Sequence, residues 1–365
     1  MKTTKLHYSI ALSILDGIGP RTVRTLISHF GDPEEFFNDK KLAKNDIPGF
    51  SKERLKKLDR TKALLKAEKE VEFVLKNDIK VYYFQNKDYP ERLKNCVDAP
   101  IIMYGKGNWE SNPSKVISVV GTRNITDYGK DLLSRFFSDL KGLDIQVVSG
   151  LAYGVDVLAH RYCLKYNIPT IGVLGHGLDR IYPTTHRNVA TKMIKQGGGI
   201  LTEFRTETNP DRENFPQRNR IVAGITDATI VIESGQKGGS LITAHLANDY
   251  NRDVFAFPGN ITSDYSIGCN KLIANDIAHL ITSGKDLIDK MGWDVQEKTE
   301  IQRQLFTDLS LEEKAVVELI RDHPISVDNL SLKLEKPVSK LNSLLMGLEI
   351  RGIVQAKPGN KFIVA

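Results

Sequence analysis

Six short apolar runs, at residues 116–120, 145–148, 170–174, 200–204, 229–232 and 254–257, recur at intervals that leave room for a helix between each pair. No other feature restricts the fold of this chain as much. A strand that is apolar along its whole length is buried on both faces, and such strands joined by helical crossovers run parallel. Right-handed crossovers then give a doubly wound, Rossmann-like α/β sheet over about residues 115–290.

The segments that follow these runs indicate where such a sheet would bind a ligand. In order they are Gly121-Thr122-Arg123, Ser149-Gly150-Leu151-Ala152, Gly175-His176-Gly177, Glu203, Glu233-Ser234 and Pro258-Gly259. Ligands of open α/β sheets sit beyond the carboxyl ends of the strands. Ends rich in glycine and small polar residues therefore make one side of this sheet a binding surface.

Residues 214–220, Asn-Phe-Pro-Gln-Arg-Asn-Arg, add an aromatic and two arginines just before the fifth run. Phe215 serves either as a core wedge or as a platform on which a base stacks. One of Arg218 and Arg220 is expected to face ligand and the other to pair with Glu203 or Glu233. Asn219 between them suits the cap of a helix beginning there. Arg123, between a strand and a helix start, suits a phosphate clamp. The turn Gly238-Gly239-Ser240 opens a further helix, where backbone N–H groups can hold an anion.

Several chemistries lack their residues. Gly150-Leu-Ala-Tyr-Gly is not GxGxxG, and no GxxxxGK[ST] occurs, so dinucleotide chemistry and nucleotide hydrolysis have no fingerprint here. His176, His186 and His245 show no metal spacing, and His160, four residues after Asp156, suits an internal hydrogen bond. No cofactor, metal or catalytic group is expected. Cys96, Cys163 and Cys269 are scattered, as in a reduced cytoplasm. No apolar run approaches the ~20 residues that span a bilayer, and the first residues lack a secretory apolar core, so no membrane partner is expected.

The net charge is +6, and residues 1–80 hold 17 Lys and Arg against 12 Asp and Glu. That imbalance fits a polyanionic partner and equally an ordinary solvated surface. Residues 1–75 read as a helical helix-hairpin-helix domain. Its first turn is Gly17-Ile18-Gly19-Pro20 with Arg21 and Arg24 nearby, and a looser copy lies at residues 47–55 with Ser51 as N-cap. Lys56, Lys57, Lys62, Lys66 and Lys69 line a charged helix that reads as a solvated face. Residues 76–114 form a connector with strands at 81–84 and 101–105. Residues 305–365 show three helices and a final hairpin about Pro358-Gly359-Asn360, a winged-helix pattern. Its third helix carries Ser339, Lys340 and Asn342 but few cations, so it suits protein contact or regulation as well as DNA reading.

The central motifs resemble the DNA-processing protein A (DprA, or Smf) family. They are Val120-Gly-Thr-Arg123 with Tyr128-Gly129, Val148-Ser-Gly-Leu-Ala-Tyr-Gly-Val-Asp156 with Ala159-His160, and Gly172-Val-Leu-Gly-His-Gly-Leu-Asp179 with Tyr182-Pro183. Phe215-Pro-Gln-Arg-Asn-Arg220, Gly239-Ser-Leu-Ile-Thr-Ala244 and Phe257-Pro-Gly259 continue the series. The resemblance implies a non-catalytic protein that binds single-stranded DNA, protects incoming DNA during natural transformation, loads the RecA recombinase and acts as a homodimer. Arg123, Phe215, Arg218, Arg220 and the Gly239-Ser240 turn match the family's pocket. Gly121, Thr122, Ser149, Gly150 and Asn219 complete the candidate DNA site. His176 stands where the family usually has a small residue and Tyr153 where it often has arginine, which weakens one phosphate contact. Two other functions fit the fold. One is a LOG-type nucleotide phosphoribohydrolase, although Ala244-His245 stands where that family needs a glutamate. The other is a mainly protein-binding scaffold.

Overall fold

Strand propensity and helical spacing convert into a nine-stranded sheet with helices on both faces. The computed structural model describes residues 3–42, 47–293, 309–321, 324–351, 353–357 and 361–364. It divides into two units, Met1–Trp293 and Asp294–Ala365.

The first unit opens with helices α1 (Thr3–Ile14), α2 (Pro20–Phe30), α3 (Pro33–Asn38), α4 (Lys52–Lys56) and α5 (Arg60–Lys76). Local chemistry sets their starts. Pro20 occupies the first turn of α2, while Asp32, Ser51 and Asp59 each accept a backbone N–H at the next three starts. Strand β1 (Lys80–Tyr83), helix α6 (Glu91–Lys94) and strand β2 (Ile102–Gly107) follow. The stretch read as a connector thus contributes two strands, and β2 pairs antiparallel with the edge of the main sheet. Tyr83, Ile101, Ile102 and Tyr104 share one apolar core with α1–α5, which fastens the helical segment to that edge.

From there strands and helices alternate. They are β3 (Val116–Val120), α7 (Asp127–Asp139), β4 (Gln146–Ser149), α8 (Val155–Tyr166), β5 (Thr170–Val173), α9 (Arg187–Lys195), β6 (Gly199–Thr202), α10 (Asn214–Gly224), β7 (Ala228–Val231), α11 (Gly239–Asp249), β8 (Asp253–Ala256), α12 (Ile267–Ala274), β9 (His279–Leu280) and α13 (Gly284–Lys290). The sheet order is β1-β2-β6-β5-β4-β3-β7-β8-β9. All pairings from β6 to β9 are parallel. The sheet is therefore the expected Rossmann-like one, and its strand order reverses between β3 and β7.

Alternation along the strands feeds two cores. Val116, Val120, Val148, Val173 and Val231 pack with residues of α10, α11 and α12. Ile117, Val119, Val147, Ile230 and Phe255 pack with Leu133, Phe136 and Phe137 of α7 and with residues of α8 and α13. Two of the buried polar residues of the sheet satisfy each other: Ser118 and Thr229 are register partners with hydroxyls 2.7 Å apart. At the opposite end from the candidate site, Arg92 grips Asp227 with two bonds of 2.6 and 2.9 Å.

Residues 214–220 depart from expectation in their helix start. Asn219 does not cap a helix, because α10 already begins at Asn214 and Asn219 lies inside it. Pro216 is tolerated in the first turn, where its missing N–H has no intrahelical partner to lose.

The second unit contains α14 (Leu311–Leu319), β10 (Ile325–Ser326), α15 (Val327–Leu334), α16 (Val338–Ile350), β11 (Val354–Lys357) and β12 (Lys361–Val364). The strands form a sheet in the order β10-β12-β11, giving the expected winged-helix architecture. Ser310 and Glu313 form a reciprocal capping box at α14. Lys340, the cation of the third helix, is paired with Glu312 at 2.9 Å. The expected turn at Pro358-Gly359-Asn360 lies outside the described residues. Among the described residues no helix is long and apolar enough to cross a membrane.

Candidate nucleic-acid interface

The parallel strands end on one edge, and the loops after β3, β4 and β5 converge there with the start of α10. Backbone bonds tie them together. The Thr122 N–H donates to Glu233 O at 2.8 Å, and the Val155 N–H donates to Thr122 O at 3.1 Å. His186 Nδ1 lies 2.9 Å from Leu151 O. Gly121 is lodged between the Val155 side chain and Glu233 O.

Arg123 and Phe215 meet on this edge. The exposed Arg123 guanidinium lies 5.8 Å from the centre of the Phe215 ring, within cation–π range. Phe215 rests over Gly175, where a Cβ would come within 3.0 Å of its ring. Tyr182, 46% exposed, stands 6.2 Å from Phe215 at an interplanar angle of 32°. Tyr153, 49% exposed, packs edge-on against His186. His176 steadies the Tyr182 loop: its Nε2 accepts the Tyr182 N–H at 3.2 Å, and its Nδ1 lies 2.8 Å from Gly177 O. The edge therefore offers three partly exposed rings and a cation with no ion pair among the described residues.

Arg218 lies beneath this surface. It is only 4% exposed and donates to Val173 O at 2.6 Å. Gly150 lies against it, and any side chain at 150 would collide with the guanidinium. The Gly150 N–H donates to Asp156 at 3.1 Å, so the glycine separates a buried carboxylate from a buried guanidinium. Burial pulls the Arg218 pKa down to about 10, Asp156 opposes this, and Arg123 adds to it. The group stays cationic at neutral pH. Burial raises the Asp156 pKa while Arg218 and the N–H groups of Ala152 and Gly150 lower it. Gly150→Ala should cost about 1–3 kcal/mol through overpacking, read as a lower midpoint in chemical denaturation.

The expectation that one of Arg218 and Arg220 faces ligand is corrected by this geometry, since both point inward. Arg220 pairs with Glu203 and donates to Asp98 O, which realises the Glu203 alternative. The reason is helical periodicity. Arg218 lies three and four residues before Ile221 and Val222, which are buried, so it shares the core face of α10. Ser149 is buried as well, its hydroxyl donating to Val119 O at 2.7 Å. Asn219 Nδ2 approaches Gly239 O at 3.5 Å, which places the Gly239-Ser240 turn beside α10. Gly239 is exposed at the start of α11, whereas the Ser240 hydroxyl is turned inward to Ser234 at 2.8 Å. The structure thus brings Thr122, Arg123, Gly150 and Phe215 to one surface, with Arg218 below. Tyr182 belongs to the same surface; it sits in an irregular loop where no periodicity marked it.

The helix N-terminus at the strand-order reversal is capped from within. Glu233, 2% exposed, accepts the Thr126 N–H at 2.9 Å and the Thr126 hydroxyl at 2.6 Å at the N-terminus of α7. That helix end is where a doubly wound domain would place a dinucleotide pyrophosphate. Here a carboxylate of the chain itself holds it.

The DNA recombination-mediator protein A family model matches residues 80–292, more than half of the chain. The chain belongs to that family. A DprA winged helix domain model matches residues 303–360. Protein Smf of Synechocystis sp. is 29% identical over 99% of both chains, and Protein Smf of Escherichia coli is 31% identical over 74% of both. The X-ray structure of DNA processing protein A from Streptococcus pneumoniae has a TM-score of 0.63 at 27% identity, covering 78% of this chain and 97% of its own. The Helicobacter pylori DNA processing protein A, whose structure concerns its single-stranded DNA binding mode, has a TM-score of 0.53 at 27% identity. It covers 58% of this chain and 95% of its own. These relatives share the recombination-mediator fold with this chain across the sheet that carries Arg123 and Phe215.

Proposed function

We propose that this chain binds single-stranded DNA at the strand ends, holding a phosphate on Arg123 and stacking bases on Phe215 and Tyr182. The observation that carries the reading is the exposed Arg123 guanidinium beside the half-buried Phe215 ring, which packs over Gly175. Aromatic faces beside an unpaired cation suit a polymer of bases and phosphates without demanding a sequence. Arg218 acts from below: a cation in a low-dielectric site strengthens the positive potential over Gly150 without touching ligand. The family and the Helicobacter pylori relative support the choice of single-stranded DNA over other polyanions.

The role that follows is DNA processing during transformation, in which a dimer of the chain in the cytoplasm protects incoming strands and loads the RecA recombinase onto them. The site is assigned to binding and not to bond cleavage. Its buried carboxylates are committed to internal partners: Asp156 to Gly150 and Ala152, Glu203 to Arg220, and Glu233 to Thr126.

Fluorescence anisotropy with a labelled oligothymidylate tests the stacking role. Phe215→Ala should weaken binding by about tenfold, because stacking contributes about 1–3 kcal/mol per base. Equal affinity for wild type and variant at low salt would remove Phe215 from the site. RecA loading is tested by strand-exchange assays on DNA coated with single-strand-binding protein.

A further inference from the structure

The geometry points to a second contact region for the same strand, a basic groove between α5 and the loop after β6 that receives the phosphodiester backbone beyond the strand-end site. This inference rests on the proposed function and extends it.

Four lysines of α5, Lys62, Lys66, Lys69 and Lys76, are spaced four, three and seven residues apart, so they share one helical stripe about 21 Å long. With Arg205 they line a groove of about 560 Å³. Glu70, Glu72 and Glu207 also line it, giving five cations and three carboxylates. Glu70 is already committed: it is 4% exposed, and both of its oxygens accept the Thr206 N–H, at 3.0 and 3.1 Å. Asp16 lies 3.4 Å from Lys62 and 4.0 Å from Lys66, both weak exposed pairs that a phosphate can displace. Lys69, Lys76 and Arg205 have no ion pair among the described residues, and all three are exposed. Phe73, half-buried in the same groove, offers a ring edge among the cations.

The groove is continuous with the strand-end site. Gly177 N–H donates to Thr208 O, and the Glu207 N–H donates to Asp179 at 3.1 Å, so the loop carrying Arg205 is bonded to the loop carrying Gly175 and Tyr182. Phe215 sits on that second loop, over Gly175. A strand leaving Phe215 and Tyr182 therefore reaches the α5 lysines along these bonded loops, passing Asp179, which Arg180 pairs, and the exposed Glu207.

The test compares oligothymidylates of about 6 and about 20 nucleotides on the full chain, a short one to fill the strand-end site and a long one to reach further. The variant is Lys69→Glu/Lys76→Glu/Arg205→Glu, with the glutamine version as a milder control and circular dichroism to verify the fold. Wild type should bind the longer strand at least about tenfold more tightly. Its log affinity should fall more steeply with log salt, by about 2, as three further phosphates would give at about 0.7 each. The variant should lose both increments while its affinity for the short strand stays at the wild-type value. An unchanged length increment in the charge-reversed protein overturns the groove and leaves the strand-end site standing. Failure of wild type to bind either strand overturns both.

Discussion

Arg123→Glu should weaken single-stranded DNA binding by at least about a hundredfold at low salt. A hydrogen bond to a charged partner contributes about 1.5–3 kcal/mol, and reversal adds repulsion to that loss. The side chain is exposed and has no ion pair among the described residues, so removing it leaves no orphaned partner in the fold. The melting temperature should therefore stay near that of wild type while affinity collapses. Arg123→Lys should recover the charge but not the planar, multi-donor guanidinium, and so should bind with intermediate affinity. The slope of log affinity against log salt should become shallower by about 0.7 in Arg123→Ala, one phosphate contact fewer. Unchanged affinity of the glutamate variant would show that DNA, if bound, sits elsewhere.

Arg218→Leu should have the opposite signature, losing stability first. The substitution removes the cation that faces the buried Asp156 across Gly150, leaving that carboxylate its backbone donors alone, and should cost up to the roughly 3–5 kcal/mol of breaking a direct buried pair. The pH dependence identifies the cause. Asp156 titrates above its ordinary value in the fold, because burial outweighs Arg218 and the N–H groups that oppose it. A group raised in this way contributes stability that is complete below its unfolded value and lost as pH rises through the folded one. Without Arg218 the folded value climbs further, so the deficit should be larger near neutral pH than under mildly acidic conditions. Asp156→Asn added to Arg218→Leu should restore part of the stability and flatten that profile, since an amide oxygen can still accept from Gly150 and Ala152. Urea midpoints across the pH range read both effects. A pH-independent deficit would refute the role of the stranded carboxylate.

The sheet was legible because its signal is local and repeated. Each of the six apolar runs became a strand within about two residues of its expected limits, as burial on both faces leaves little choice of residue. The two residues of β9 were too short to show a period, and the antiparallel attachment of β1 and β2 depends on partners distant in sequence. The candidate surface was legible in part. Arg123 and Phe215 were readable from strand-end position and chemical type. The inward turn of Arg218 was not, because it depends on where α10 starts. With the start set at Asn214, Arg218 falls on the face of Ile221 and Val222, while Phe215 lies near the helix entrance. Tyr182 was readable only as part of the Tyr182-Pro183 family motif, since an aromatic in an irregular loop has no period to assign it a role. Its place beside Phe215 is decided by the loop that His176 steadies.

Glu233 has a consequence for the kind of ligand this architecture accepts. By seating its own carboxylate on the helix that would grip a pyrophosphate, the chain fills that anion position itself, and a small metabolite with two ends loses one of its two anchors. The remaining anchor points lie along an open rim. A rim suits a thread, which enters on one side, leaves on the other, and can be handed on from either free end without first being released.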